Sequence, residues 1–389
     1  MATALDAIGT KTAAARRLIS LDVFRGLTMA GMVIVNNPGD WGNVYAPLLH
    51  AAWNGWTPTD LIFPFFLFMV GVSITLSRKS DNWGTIFRRA AIIFALGLFL
   101  AGYPRFNVES WRIPGVLQRI AVCYLFAAAL YRLTAGVTGS RAAVGRVFGP
   151  GGQAALLGGV AVVCALGYWA LMMLVAPPGG IAGDLTPEGN LAAWVDRALM
   201  SGHLWKPKWD PEGLLSTIPA LTTTLLGVLA GLLLARPLTP ERKALWLAGG
   251  GALAMAVGEI WGLAFPINKN LWTSSYAVFT AGFASLVLAA CYWAIDIKGW
   301  RGWTKPFVIL GSNAITLFVA SGLLVKTLSL IRVAGDDGRE VAVSRYAYQH
   351  WFVPLASPKN ASLLYALANL VILFLLLAWM YRRRLFLRV

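Results

Sequence analysis

The sequence predicts an all-α polytopic membrane protein of about ten transmembrane helices, with both ends on the cytoplasmic side. Three observations carry that prediction. Of 389 residues, 58% are hydrophobic and only 13% are charged, whereas about a quarter of a soluble domain is charged. Apolar runs of the ~20 residues needed to span a bilayer recur along the chain. The short turns between alternate runs are basic, and cytoplasmic loops retain Lys and Arg in this way. The same rule accounts for 33 Lys+Arg against 17 Asp+Glu, a formal charge of +16. No nucleic-acid partner is needed to explain that excess.

Residues 1–17 read as a cytoplasmic tail without the apolar core of a cleavable signal. The first helix is expected over 18–37. Arg16 and Arg17 precede it, and Asp22 and Arg25 can pair three residues apart. Asn36-Asn37-Pro38-Gly39 supplies turn chemistry at its end. The outer loop that follows carries Trp41, Tyr45, His50, Trp53 and Trp56. The second helix is expected over 58–77, and the basic turn from Arg78-Lys79 to Arg88-Arg89 lies inside. The third is expected to be short, over 90–103. The fourth runs from 113 to 131, with Gln118 and Arg119 facing the bundle interior. The fifth spans 153–175. An outer insertion, 176–213, holds His203, Trp205, Lys206, Lys208 and Asp210.

The sixth and seventh helices are expected over 214–235 and 244–265, with Arg242 in the inner turn between them and Glu259 in the outer half of the seventh. The turn INKNLWTSS leads out to the eighth, 276–295. The ninth is expected as one span over 306–330. A second outer loop, 331–360, carries His350, and the tenth helix covers 361–381. The organisation is then a single transmembrane domain, 18–381, followed by a basic cytoplasmic tail, 382–389. No internal repeat of fixed period is visible. Cys123, Cys164 and Cys291 all fall in apolar runs and read as small buried hydrophobes. No metal-ligand spacing, nucleotide loop or nucleophile elbow is present.

The stretch His50 to Ser73, HAAWNGWTPTDLIFPFFLFMVGVS, is the most unusual. It places a histidine and a carboxylate, Asp60, at the mouth of a membrane helix. A largely neutral imidazole can take a proton or attack an acyl carbon near pH 7, and a carboxylate can orient the ring. His50 also has the plainer reading of a surface loop residue. Asp60 also reads as a helix cap favoured by the dipole. Trp53 and Trp56 also read as members of the interfacial aromatic belt. Arg119, Glu259 and Lys269 are costly at membrane depth, so each lines a cavity or forms a structural pair. Asn268, Lys269 and Asn270 crowd one outer turn in a way that suits a polar ligand. Asn313 is either helix–helix glue or ligand-facing. His203 and His350 read as surface residues.

The segments SLDVFRGLTMAGMVIVNN, HAAWNGWTPTDLIFPFFLFMVGVSI, RIPGVLQRIAVCY, DPEGLLSTIPALTTTLLGVLAG and NKNLWTSSYAVFTAGFA occur in this order. Together they resemble the heparan-alpha-glucosaminide N-acetyltransferase family of lysosomal transmembrane acetyltransferases, and the resemblance covers nearly all of the membrane domain. It implies transfer of acetyl from cytosolic acetyl-CoA to the amine of a glucosamine-type sugar or glycan across the membrane, without a metal. The family's active histidine falls at His50, its asparagine at Asn36 and its acid at Asp60. On this reading Trp53, Trp56, Asn268, Lys269, Asn270 and Glu259 are candidates for the sugar. Gln118, Arg119, Asn313, Arg78, Arg88, Arg89 and Arg242 are candidates for polyanionic coenzyme A. A multi-pass protein of a bacterial inner membrane is implied, with membrane lipid around it and a homodimer left open. The rival expectation is a secondary transporter of a sugar or amino-acid derivative, with Arg119 and Glu259 as coupling residues. Against it stand the missing repeat and the missing pair of broken helices.

Overall fold

The structure, a computed structural model, describes residues 18–77, 82–137, 152–336 and 338–387. Thirteen α-helices account for most of them. In order they are α1 Ile19–Asn36, α2 Ile62–Leu76, α3 Trp83–Gly102, α4 Val116–Val137, α5 Gly152–Leu174, α6 Leu191–Met200 and α7 Thr217–Ala235. Then come α8 Pro240–Gly262, α9 Ser274–Cys291, α10 Lys305–Ser312, α11 Ala314–Leu330, α12 Val343–Ala347 and α13 Pro358–Arg382. The sheet among the described residues is one antiparallel hairpin, β1 Arg332–Ala334 with β2 Glu340–Ala342, in which Val333 faces Val341. Among the described residues nine helices are long and apolar enough to cross a membrane, or ten if the bent pair α10 and α11 counts as one span. The chain is therefore an all-α, multi-pass membrane protein.

Three expectations about helices change. The third helix is a full 20 residues, because Trp83 to Arg89 is helical rather than a turn. Asn82 starts it by accepting the Thr85 N–H at 3.2 Å. Arg89 lies 5.1 Å from the centre of the Tyr124 ring, so its charge does not break the helix. The ninth span is two helices, α10 and α11, bent by 79° at Asn313. The insertion over 176–213 hides a short helix, α6, capped by Asn190 accepting from Ala193 N–H at 2.8 Å.

α2 sits at the centre of the bundle, with Phe65, Leu67, Phe68, Met69 and Val72 all buried. It lies against α7 at backbone distance. A β-carbon on Gly71 would stand 2.0 Å from the Thr224 carbonyl oxygen, and one on Gly227 would stand 2.0 Å from that of Phe68. Only glycine lets two membrane helices approach so closely, and packing and polar contacts drive such association where lipid is as apolar as leucine. At the other extreme, the apolar windows of α8, α3, α5 and α13 are only 22%, 28%, 28% and 33% buried. Helices that stay apolar on an exposed face are lipid-facing, so α2 with α7 belongs to the interior of the bundle and α3, α5, α8 and α13 to its rim.

Candidate functional site

The turn before α2 builds the site. Thr57 and Asp60 form a capping box around one turn of 3-10 helix, Pro58–Leu61. Asp60 Oδ2 accepts the backbone N–H groups of Thr57 and Ala51, both at 3.0 Å. Its other oxygen, Oδ1, lies 2.6 Å from His50 Nδ1. The two readings of Asp60 are thus combined in one side chain. One oxygen caps the helix and the other holds the histidine. A carboxylate can only accept, so Nδ1 carries a proton, and in the neutral ring the lone pair is then on Nε2. Asp60 is 1% exposed while His50 is 46% exposed. The carboxylate is locked and the ring is presented.

Lys269 arrives from the turn between α8 and α9. That turn is fastened to the His50 loop by Gly55 N–H to Ile267 O at 2.7 Å and by Asn268 Nδ2 to Asn54 Oδ1 at 3.0 Å. Lys269 Nζ lies 3.0 Å from both ring nitrogens of His50 and 3.9 Å from Asp60 Oδ1. Burial pulls the Lys269 ammonium below its usual range, while the charges of Glu212 and Asp60 act in the opposite sense. Glu212 closes this end. It is held by Arg112, which also pairs with Asp210 at 2.7 Å. Burial works against the Arg112 charge, but its bonds to Asp210 and Glu212 outweigh it and hold the guanidinium above its ordinary value.

From here a cavity of about 470 Å³ follows α2 through the bundle. Its first end is lined by His50, Lys269, Glu212, Asn36 and Thr59, and its second by Arg25, Ser73, Ser77, Arg89, Tyr124 and Ser312. Thr59 to Ser77 is ~27 Å of helix at 1.5 Å per residue, close to the ~30 Å of a bilayer's hydrocarbon core. The middle is apolar, with Phe63, Phe66, Met69 and Ile120 on its wall. At the second end Arg25 donates to Ser73 Oγ at 3.1 Å and pairs with Asp22 at 3.2 Å. A long, narrow, apolar passage with cationic and polar groups at one mouth and a histidine at the other suits an elongated ligand with a charged head.

Not every predicted site residue reaches this cavity. His50, Asn36, Lys269 and Arg89 line it, and Asp60 lies directly behind His50. Trp53 gives its indole N–H to Leu185 O at 2.9 Å and packs edge-on to Trp209. Trp56 packs on Phe279 and Phe283. Asn268 is consumed by the turn it stabilises, and Asn270 borders a separate, water-sized void beside Asp196 and Asp210. Glu259, Arg88 and Arg242 are exposed on their helices, away from the cavity. Gln118 is buried where Gly97 and Gly115 make room for its amide. Arg119 is buried behind Trp272, donating to Gly213 O at 3.0 Å and Ser216 Oγ at 2.5 Å. Asn313 is engaged by the chain itself. Its amide joins Leu385 O and Leu387 N, both at 3.1 Å, and so fixes the segment after α13 at the second mouth. Arg78 lies outside the described residues.

Sequence reasoning missed Arg25, Glu212, Thr59, Ser73, Tyr124 and Ser312 as cavity residues. Glu212 carried a weak signal: like Asp60, it stands within two residues after a proline ahead of an apolar run. Arg25 was legible only as a partner of Asp22. His203 binds Trp111 O at 2.8 Å, and His350 stacks on Tyr346, so both serve their loops.

Fold and site together define a class: a multi-pass helical membrane protein with a histidine–carboxylate–lysine cluster at one mouth of an internal passage. Comparison with known proteins narrows it. Residues 17–149 match the family model described as heparan-alpha-glucosaminide N-acetyltransferase, catalytic. That stretch contains Arg25, Asn36, His50, Asp60, Arg89 and Tyr124. The human heparan-alpha-glucosaminide N-acetyltransferase is 33% identical over 358 residues, covering 78% of this chain and 52% of the relative. The mouse enzyme of that name is 31% identical over 365 residues, covering 81% and 55%. The chain is a member of the heparan-alpha-glucosaminide N-acetyltransferase-like family, and it spans about half the length of the curated relatives it matches.

Proposed function

We propose that this protein is a transmembrane acetyltransferase that takes acetyl from acetyl-CoA on one side of a bacterial inner membrane. It delivers the acetyl to the amine of a glucosamine-type sugar on the other. The observation that carries the reading is the passage itself, with His50 at one mouth and Arg25 and Arg89 at the other. The charged nucleotide end of coenzyme A would rest at the arginine mouth, where guanidinium groups suit phosphate. Its apolar arm would follow α2, and the thioester would meet His50. The positive-inside pattern of the turns supports an inner position for the arginine mouth. The protein's domain is then the whole bundle, 18–381, with both ends inside.

Two balanced routes use the same residues. In one, Nε2 of His50 attacks the thioester carbon, the C–S bond breaks, and the coenzyme leaves as a thiol after taking up a proton. The sugar amine then attacks the acetyl-imidazole, loses a proton, and frees the ring. In the other, Nε2 takes the amine proton as the amine attacks the thioester directly. In both, Asp60 holds Nδ1–H and stabilises the ring as it gains positive character. Asn36 supplies an amide N–H to the oxyanion that forms on the acetyl oxygen.

The test is incubation of the purified protein with radiolabelled acetyl-CoA, with and without glucosamine. Labelled N-acetylated sugar made by the wild type and not by His50→Ala is expected. Label on the protein without sugar selects the first route. Glucosamine uptake into proteoliposomes without acetyl-CoA would favour the transporter instead.

A further inference from the structure

Lys269 is closer to His50 than a lysine that merely binds substrate needs to be. Its Nζ is 3.0 Å from Nδ1 and 3.0 Å from Nε2. In the ring plane, the outer position equidistant from both nitrogens is blocked by Cε1, which lies between them. An atom that near to both therefore sits over the face of the ring. Neither in-plane direction is used by it. Nδ1–H points to Asp60, and the Nε2 lone pair stays free in the plane. A cation over the ring face is attracted by the π-electrons of a neutral imidazole and repelled by an imidazolium.

Asp60 acts the other way. A buried carboxylate 2.6 Å from Nδ1 favours the charged ring. Its influence is toward the imidazolium, which is neither base nor nucleophile. We propose that Lys269 is a positioning residue that keeps His50 in its neutral form with Nε2 open to the passage, balancing the pull of Asp60. This inference rests on the reading of His50 as base or acetyl carrier.

The charged groups around the ring fit the assignment. Asp60 comes from the turn before α2 and Lys269 from the α8–α9 turn. Glu212 comes from the segment before α7, and Arg112, before α4, holds it at 2.5 Å while also pairing with Asp210 at 2.7 Å. Arg119 of α4 lies behind them and is bound to Gly213 O and Ser216 Oγ. Asn36 and Thr59, also at this mouth, are uncharged. Glu212 acts on Lys269 and helps keep it charged, and Asp60 and Lys269 are the charged groups in contact with the ring itself. The fastening of Asn268 to Asn54 fixes where the neighbouring lysine can reach.

Two readouts test the inference. Diethyl pyrocarbonate modifies neutral imidazole, and mass spectrometry reports the modification at His50 alone. In Lys269→Met the midpoint of His50 modification should move up by about one to three pH units, the shift expected for a charge at this range. Lys269→Arg should return most of that shift. Lys269→Gln is the second neutral variant should the methionine disturb folding. The pH–rate profile of acetyl transfer is the other readout. Its acid limb should move up with the midpoint, so the neutral variants lose about tenfold or more near pH 7 and recover at higher pH. An unmoved midpoint in a folded neutral variant overturns the role of Lys269, even where acetyl transfer itself is found. A moved midpoint in a protein that transfers no acetyl keeps that role and overturns the acetyltransferase reading.

Discussion

Replacing Asp60 by asparagine separates its two duties, because the change conserves shape but not accepting power. The carboxylate receives His50 Nδ1–H on one oxygen and the Ala51 and Thr57 N–H groups on the other. An asparagine has one oxygen. If that oxygen keeps the two backbone bonds, its NH₂ faces Nδ1 and forces the proton to Nε2. The lone pair the reaction needs is then lost. The cap survives in this arrangement. The lost charge at the helix start costs about 0.3–1 kcal/mol, so the protein should still fold. The lost bond to the charged acceptor is worth about 1.5–3 kcal/mol, and at 1.36 kcal/mol per decade this is about 10- to 150-fold in rate. The assay is steady-state transfer from acetyl-CoA to glucosamine over a range of pH, beside a thermal melt in detergent. A rate above half that of the wild type at every pH, in folded Asp60→Asn, would refute the orienting role.

Other expected outcomes follow from single contacts. Arg25→Gln should raise KM for acetyl-CoA about tenfold or more, the worth of one charged hydrogen bond, with kcat little changed. An unchanged KM would move the coenzyme's charged end away from that mouth. Gly71→Val drives side-chain atoms into the Thr224 carbonyl, 2.0 Å from a β-carbon. It should cost about 1–3 kcal/mol or more, seen as early loss of the monodisperse peak after heating, and an unshifted melt would contradict the close contact. Asp196 is a third case. Burial pushes its carboxyl up to about 6, above the ~3.9 of an unfolded chain. The folded state therefore binds the proton more tightly, and stability falls as pH rises from about 4 to 6 and is flat above. Melts across that window should show the slope, and Asp196→Asn should remove it.

Most of the fold was legible because a bilayer imposes one strong rule on sequence. Spans must be apolar and about 20 residues long, and Gly, Pro, Asn and basic residues mark their ends. The rule failed where a side chain outweighed its local signal. Arg88-Arg89 resembled a turn because two charges interrupt an apolar run. Arg89 is nonetheless accommodated against Tyr124, and the helix begins at Trp83. Asn313, where the ninth span bends, is bound to Leu385 and Leu387, 72 and 74 residues away, and no local pattern could announce those contacts. The same division holds at the site. His50 and Asp60 stood out because they are neighbours in sequence and chemically unusual at a helix mouth. Glu212 and Arg25 become cavity residues only once α1, α4 and α7 have packed around α2. The tryptophans drew attention by type, yet the structure commits Trp53 to loop packing and Trp56 to the face of α9.

The central claim is that acetyl crosses the membrane at His50. Proteoliposomes test it directly, with radiolabelled acetyl-CoA supplied on the face of the basic turns and glucosamine confined to the opposite face. The account predicts labelled N-acetylglucosamine in the glucosamine compartment, and none with His50→Ala. Product only when both substrates share one compartment, or equal product from His50→Ala, would contradict it.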